Sequence, residues 1–238
     1  MTQTTVPVIF DLDGTLVDPA GGITGGISAA LAETGLPVPA PELLETMIGP
    51  RLSDSLLNIA KVPADKLEDV VRRYRGHYMV SGMAQSRLYP GIRDVLESFA
   101  ASGRPLAVAT QKPQGMARKL LALHRIDGFF RGIHGAPDEE VSFDGVPVGK
   151  SAMIAAALRD LDTRHAVMVG DRAQDVDGAV ANGLDCVGVA WGFAAEGELE
   201  SAGAVAVVHT PAALLEAVGR LQAIHTAAMS GVTNDGNV

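Results

Sequence analysis

The sequence predicts an α/β protein: a doubly wound parallel sheet with a block of helices inserted after the first strand. Short, continuous apolar runs recur along the chain and alternate with helical patterns. One long stretch, residues 21–86, carries helical patterns alone. The composition supports a large core, because 47% of the 238 residues are hydrophobic and 20% charged, the opposite of a disordered chain.

The elements follow in order. Val6-Pro7-Val8-Ile9-Phe10 is apolar throughout and ends at Asp11, the pattern of a strand covered on both faces. Residues 23–33, 41–47, 53–60 and 64–79 then show helical spacing, punctuated by Pro37, Pro39, Pro41 and Pro63. Glycine and proline flank this block at 18–22 and 87–91, where hinges are expected. Residues 91–102 read as a helix, with Ile92, Val95, Leu96 and Phe99 on one face, and 105–109 as a second strand. A helix over 113–123 follows, then a hairpin turn at Asp144-Gly145 between β-prone pieces at 140–143 and 146–148. The alternation resumes with a helix at 151–161, a strand at 166–169, a helix at 174–182 and strands at 185–190 and 204–208. The expected division is a Rossmann-like α/β core over 1–18 and 88–222, a helical cap over 19–87, and a flexible tail over 223–238.

Lys and Arg number 19 against 28 Asp and Glu, a net charge of −9, which disfavours nucleic-acid polymers as partners. At first sight the same balance disfavours any phosphorylated substrate. The single cysteine, Cys186, excludes an internal disulfide and fits a reducing compartment. Residues 1–10 lack the basic and apolar regions of a signal peptide, and the longest apolar runs, such as 152–158, fall far short of the ~20 residues that span a bilayer. A cytoplasmic protein without a membrane partner, monomeric or dimeric, is expected.

Four places carry chemistry. Asp11-Leu12-Asp13-Gly14-Thr15 stands where the first strand stops, and ligands of open α/β sheets bind outside the carboxyl ends of strands. Two carboxylates two residues apart can share a cation, and an oxygen-only donor set suits Mg²⁺. One of them could attack phosphorus while its neighbour hands over a proton. The plainer account is an Asp-rich turn. A second acidic pair, Asp171 and Asp175, follows another apolar strand, with both carboxylates able to point the same way in a first helical turn. Two acidic clusters after two apolar strands exceed what ordinary helix-end charge explains. Thr110, at the end of 105–109, either binds a phosphate oxygen or simply caps the helix entered through Pro113. Lys150 is one of five lysines and supplies a cation that such a cluster needs.

These four pieces, in this order, resemble the haloacid dehalogenase superfamily of phosphatases over residues 6–221, and the helices after the first strand look like its cap. Softer motifs, Ile48-Gly49-Pro50-Arg51, Tyr89-Pro90-Gly91, Gly170-Asp171-Arg172 and Trp191-Gly192, are similar to its phosphoglycolate phosphatase and 5′-nucleotidase branch. The resemblance implies Asp11 as nucleophile, Asp13 as general acid and then base, and Thr110 and Lys150 as holders of the transferring phosphoryl group. It implies Mg²⁺ held by Asp11, the Asp13 carbonyl and Asp171, with Asp175 in support. Gly14, Thr15, Gln111 and Arg51 would contact a small phosphorylated metabolite. Gln111, Arg172 and Ser151 depart from the residues common at those places, and Gln111 and Arg172 are expected to reshape the pocket rim. A sugar-phosphate mutase would use the same Asp11 and Asp13. A receiver-like phospho-Asp protein without turnover would use Asp, Thr and Lys, but in about half this length and without a cap.

Overall fold

A computed structural model describes residues 5–137 and 149–232 of the chain. β1 (Val8–Phe10) leads into a short pair of strands, β2 (Val17–Asp18) and β3 (Arg87–Leu88), which pair antiparallel. Between these two strands the chain is helical: α1 (Gly22–Glu33), α2 (Pro41–Glu45), α3 (Leu52–Asn58), α4 (Leu67–His77), a π-helical turn (Tyr78–Gly82) and α5 (Met83–Gln85). Gly22 and Gly82 bring α1 and the π turn together, since a Cβ on Gly22 would stand 2.2 Å from the Gly82 carbonyl oxygen.

The remaining chain alternates α6 (Ile92–Ala101), β4 (Leu106–Pro113), α7 (Gln114–Leu123), β5 (Gly132–Ala136), α8 (Lys150–Asp160), β6 (Val167–Gly170), α9 (Ala173–Val180), β7 (Asp185–Val189), α10 (Glu198–Ala202), β8 (Ala206–Val208) and α11 (Pro211–Val232). Six strands form one parallel sheet in the order β5-β4-β1-β6-β7-β8, the doubly wound arrangement. The pleat divides the core between two faces. Val8 and Phe10 of β1 pack with Leu96, Leu120 and Leu214, while Ile9 packs with Ile154 and Val176 on the opposite side. Every residue of β1 and β6 is buried, which explains why those strands read as unbroken apolar runs. Fully burying each such aliphatic side chain contributes roughly 1.5–3 kcal/mol.

Three expectations differ. Strand β5, Gly132–Ala136, is not among the predicted strands because its sequence Gly-Ile-His-Gly-Ala lacks a β-branched run, and it sits at the sheet edge. The tail expected from Ala223 is instead the continuation of α11 to Val232, where an alanine-rich sequence favours helix and His225 Nε2 lies 3.1 Å from Asp185 Oδ2. The third concerns the end of β4 and is taken up with Thr110 below. The Asp144-Gly145 hairpin lies outside the described residues. Among the described residues, no helix is long and apolar enough to cross a membrane.

Candidate active site

In the order β5-β4-β1-β6-β7-β8 the connections run outward to one side from β1 and then to the other from β6, so the switch point lies between those two neighbours. Asp11 and Asp171 are the residues immediately after β1 and β6. The Asp11 N–H donates to the Val169 carbonyl at 2.9 Å, holding the two strand ends in register. Asp175 joins them from the first turn of α9, and Lys150 enters as the first residue of α8. The Lys150 Nζ lies 2.5 Å from Asp11 Oδ1 and 2.7 Å from Asp175 Oδ1, so one ammonium spans two carboxylates from different elements. All four side chains are buried.

Asp171 is fixed on every side. Thr15 Oγ1 donates to its Oδ1 at 2.9 Å and the Phe193 N–H to its Oδ2 at 2.9 Å. Gly14, at φ +88°, passes so close that a Cβ there would stand 2.1 Å from Asp171 Oδ2. Gly14 and Thr15 are expected from the sequence at the substrate. In the structure Thr15 is fully buried and its hydroxyl is committed to Asp171, and the close approach of Gly14 serves the same carboxylate. The Trp191 Nε1–H donates to the Thr15 carbonyl at 3.1 Å, which gives the Trp191-Gly192 motif a part in holding this turn.

Thr110 does not cap α7. Strand β4 runs on through Pro113 and the helix begins at Gln114, so Thr110 lies within the strand, with its Oγ1 accepting the Lys112 N–H at 3.2 Å. The site's second buried lysine is Lys112, which the four sequence motifs do not include. Its Nζ lies 2.7 Å from Asp13 Oδ2 and 4.4 Å from the centre of the Tyr78 ring. The second oxygen of Asp13, Oδ1, is buried without a hydrogen-bond partner among the described residues. A lysine two places after Thr110, just past the end of the apolar run 105–109, is the signal in the sequence that could have found it.

The electrostatics follow from burial. Four buried carboxylates, Asp11, Asp13, Asp171 and Asp175, face two buried lysines, Lys112 and Lys150, which leaves an excess of two negative charges when all are ionised. Burial raises the Asp13 carboxyl above its ordinary value despite Lys112. Burial, then the neighbouring Asp175 and Asp11, drives Asp171 well above that range. Asp175 is pushed up to about 6, by burial first, against the pull of Lys150. Both lysines remain firmly protonated: burial would lower them, but Asp13 raises Lys112, and Asp11 and Asp175 raise Lys150. One carboxylate oxygen from each of Asp11, Asp171 and Asp175 falls within 4.8 Å of the others. That hard, oxygen-only donor set, with its surplus of two charges, fits a divalent metal ion.

A cavity of about 60 Å³ lies between this cluster and the helical segment. Asp11, Asp13, Thr110 and Lys112 line it from the sheet, and Arg51, Tyr74 and Arg75 from the helices. At ~10–15 Å³ per water position it holds a few waters or a phosphoryl-sized group. Gln111 reaches the same cavity, with its Nε2 3.4 Å from Gln174 Oε1. Tyr74 and Tyr78 stack at 5.8 Å, as their spacing on a helix suggests, but each has a second role, at the cavity wall and over Lys112. Arg172 does not shape the cavity rim as expected; its guanidinium goes to Glu198 and to the Ile48 carbonyl.

A family model described as haloacid dehalogenase-like hydrolase matches residues 8–189. The chain is 36% identical to a 5′-nucleotidase of Pseudomonas aeruginosa over 196 residues, covering 82% of this chain and 86% of that protein. It is 38% identical over 216 residues to tyrosine-protein kinase PtkA of Mycobacterium tuberculosis, covering 89% of this chain and 72% of that protein. Among solved structures, a hydrolase of the haloacid dehalogenase-like family from Streptococcus pneumoniae superposes with a TM-score of 0.80 at 29% identity, covering 91% of this chain and 99% of that one.

Proposed function

The chain belongs to the haloacid dehalogenase-like hydrolases, and from that membership we propose that it is a Mg²⁺-dependent phosphomonoesterase that acts on a small phosphorylated metabolite, of the phosphoglycolate or nucleoside monophosphate type, through an aspartyl-phosphate on Asp11. The observation that carries the reading is the convergence of Asp11, Asp171 and Asp175 at the carboxyl ends of neighbouring strands, with Lys150 bridging two of them. Asp11, Asp171 and Asp175, with the Asp13 carbonyl, would hold the ion, which supplies charge neutralisation at the phosphoryl oxygens.

The chain's own residues divide the work. A carboxylate oxygen of Asp11 attacks phosphorus, and the phosphorus–oxygen bond to the leaving alcohol breaks. Asp13 gives that alcohol a proton from its unpartnered Oδ1, then takes one from the water that attacks the aspartyl-phosphate, so that inorganic phosphate and free Asp11 result. Thr110 and Lys150 steady the phosphoryl oxygens during both transfers. The helices between β2 and β3 act as the cap, and since the space beneath them is only about 60 Å³, a leaving group larger than a few waters needs that cap to open. Cytoplasmic operation is part of the same proposal.

The test is phosphate release from phosphoglycolate, nucleoside monophosphates, sugar phosphates and p-nitrophenyl phosphate. Many phosphates per chain are expected with MgCl₂ and none with EDTA. Turnover in EDTA would overturn the metal assignment, and one phosphate per chain would favour a receiver-like protein. The relative named a tyrosine kinase gives a second reading, transfer of the γ-phosphoryl group of a nucleoside triphosphate to a tyrosine hydroxyl with release of the diphosphate; label carried from γ-labelled ATP to tyrosine, with no ester hydrolysis, would select it.

Metal binding also has a pH signature. Asp175 sits at about 6 in the fold against 3.8 when unperturbed, so the folded chain keeps protons that the unfolded chain has shed. The site therefore costs stability as pH rises from about 4 through about 6. A cation replaces those protons, so the increase in Tm on adding MgCl₂ is expected to be larger near pH 7.5 than near pH 5. Equal increases at both pH values would count against the acidic cluster as the binding site.

A further inference from the structure

Arg172 follows Asp171 directly, yet its side chain leaves the catalytic cluster for the cap. Its Nε donates to Glu198 Oε1 at 2.9 Å and its Nη1 to the Ile48 carbonyl at 2.7 Å. Glu198 is itself anchored to the core, accepting the Ala173 N–H on Oε1 at 2.8 Å and the Ala195 N–H on Oε2 at 3.0 Å. The Arg172 and Glu198 side chains are only 13% and 16% exposed, so water competes poorly for these bonds. On the cap side, Gly49 turns the chain at φ +102° just after the accepting carbonyl, and a Cβ there would stand 3.1 Å from Arg172 Cγ. The loop and the guanidinium are fitted to each other. At its own backbone, the Arg172 N–H donates to Asp175 Oδ2 at 3.1 Å. One residue is thus tied through its main chain to the acidic cluster and through its side chain to residues 48–51, which wall the cavity above Asp11.

We propose that Arg172 is the latch of the cap: a positioning residue that holds the loop 47–51 closed over Asp11 through the Ile48 carbonyl, with Glu198 as its anchor. The inference rests on the reading of the inserted helices as a cap. A bond from a charged donor in this setting biases the closed form by roughly 10- to 100-fold. The bond goes to main chain, so it senses where the loop is rather than which side chains the loop carries.

Hydrogen exchange and kinetics on Arg172→Met, Arg172→Lys and Glu198→Gln test the latch. Arg172→Met is expected to speed amide exchange in residues 47–52 by roughly tenfold or more and to raise KM by a similar factor for esters whose leaving group meets the cap. For acetyl phosphate, with its small leaving group, kcat should stay near the wild-type value. Arg172→Lys should fall between, because one ammonium cannot present the two-pronged fork. Glu198→Gln should loosen the same amides, and the double variant should do no more than Arg172→Met alone. Unchanged exchange in 47–52 would overturn the latch. So would a weaker Mg²⁺-induced rise in Tm with equal loss on acetyl phosphate, which would mean that Arg172 acts on the acidic cluster. A wild-type chain that hydrolyses no ester would remove the proposed function, while the exchange rates would still decide the latch.

Discussion

Asp11→Asn is expected to end turnover, with kcat lower by about 10⁴-fold or more, in a protein that is folded and no less stable than the wild type. The amide keeps the shape of the carboxyl group but loses the anionic oxygen that, in the proposed mechanism, would attack phosphorus. Among the described residues the neighbouring carboxylates are held for other work: Asp171 is committed to Thr15 and Phe193, Asp175 to Lys150 and the Arg172 N–H, and Asp13 to Lys112. The stability half of the prediction comes from the same carboxylates. Asp11 is one of the groups that raise Asp171 and Asp175, so its neutralisation relieves repulsion in the metal-free protein while Lys150 keeps Asp175 at 2.7 Å. Steady-state phosphate release and thermal unfolding of metal-free samples check both halves. Mass spectrometry of the variant guards against slow deamidation back to aspartate. Repeated turnover by a sample that contains no reverted aspartate would remove Asp11 as the nucleophile.

Much of this arrangement is legible in the sequence because it is marked by contrast. Asp11, Thr110 and Asp171 each stand where an apolar run ends or gives way to polar residues, and buried parallel strands produce such runs. Lys150 is legible by its scarcity and by the helix it opens. What stays hidden is the set of pairings that only the fold creates. Thr15 meets Asp171 across 156 positions and Lys112 meets Asp13 across 99, and no local pattern reports either contact. Thr15 therefore reads as a substrate contact, and Lys112 is given no part in the site. The end of β4 misleads for a related reason: Pro113 marks a helix entry correctly, but the strand reaches it without the loop that Thr110 would have capped. The initial conflict between a charge of −9 and an anionic substrate also resolves in part at the site, where four of the acidic groups are buried around two lysines.

Lys112→Met should be nearly as damaging as loss of the nucleophile, and in a way that pH can reveal. Asp13 is buried, and burial raises its carboxyl; Lys112 is the main influence lowering it. Methionine fills much the same volume but removes the ammonium 2.7 Å from Asp13 Oδ2 and the cation over Tyr78. A buried carboxylate left unpaired costs about 3–5 kcal/mol, a cost the protein avoids by taking up a proton on Asp13. The consequence differs between the two chemical steps. A protonated Asp13 can still donate to the leaving alcohol, so aspartyl-phosphate should form. Having donated, the unpaired Asp13 carboxylate takes a proton back from solvent as the alcohol leaves, and in that form it cannot accept one from the attacking water, so breakdown should become limiting and phosphoenzyme should accumulate. At neutral pH kcat is expected to fall by roughly 10²–10⁴-fold, the usual contribution of a positioned base. The sign of the pH effect is fixed: removing a cation raises the Asp13 pKa, so the acidic limb of the kcat profile must move to higher pH, and activity should recover in part as pH rises. Burst kinetics and a pH profile at saturating MgCl₂ measure both effects. An acidic limb that stays in place, or moves to lower pH, would show that Lys112 does not govern the protonation of Asp13.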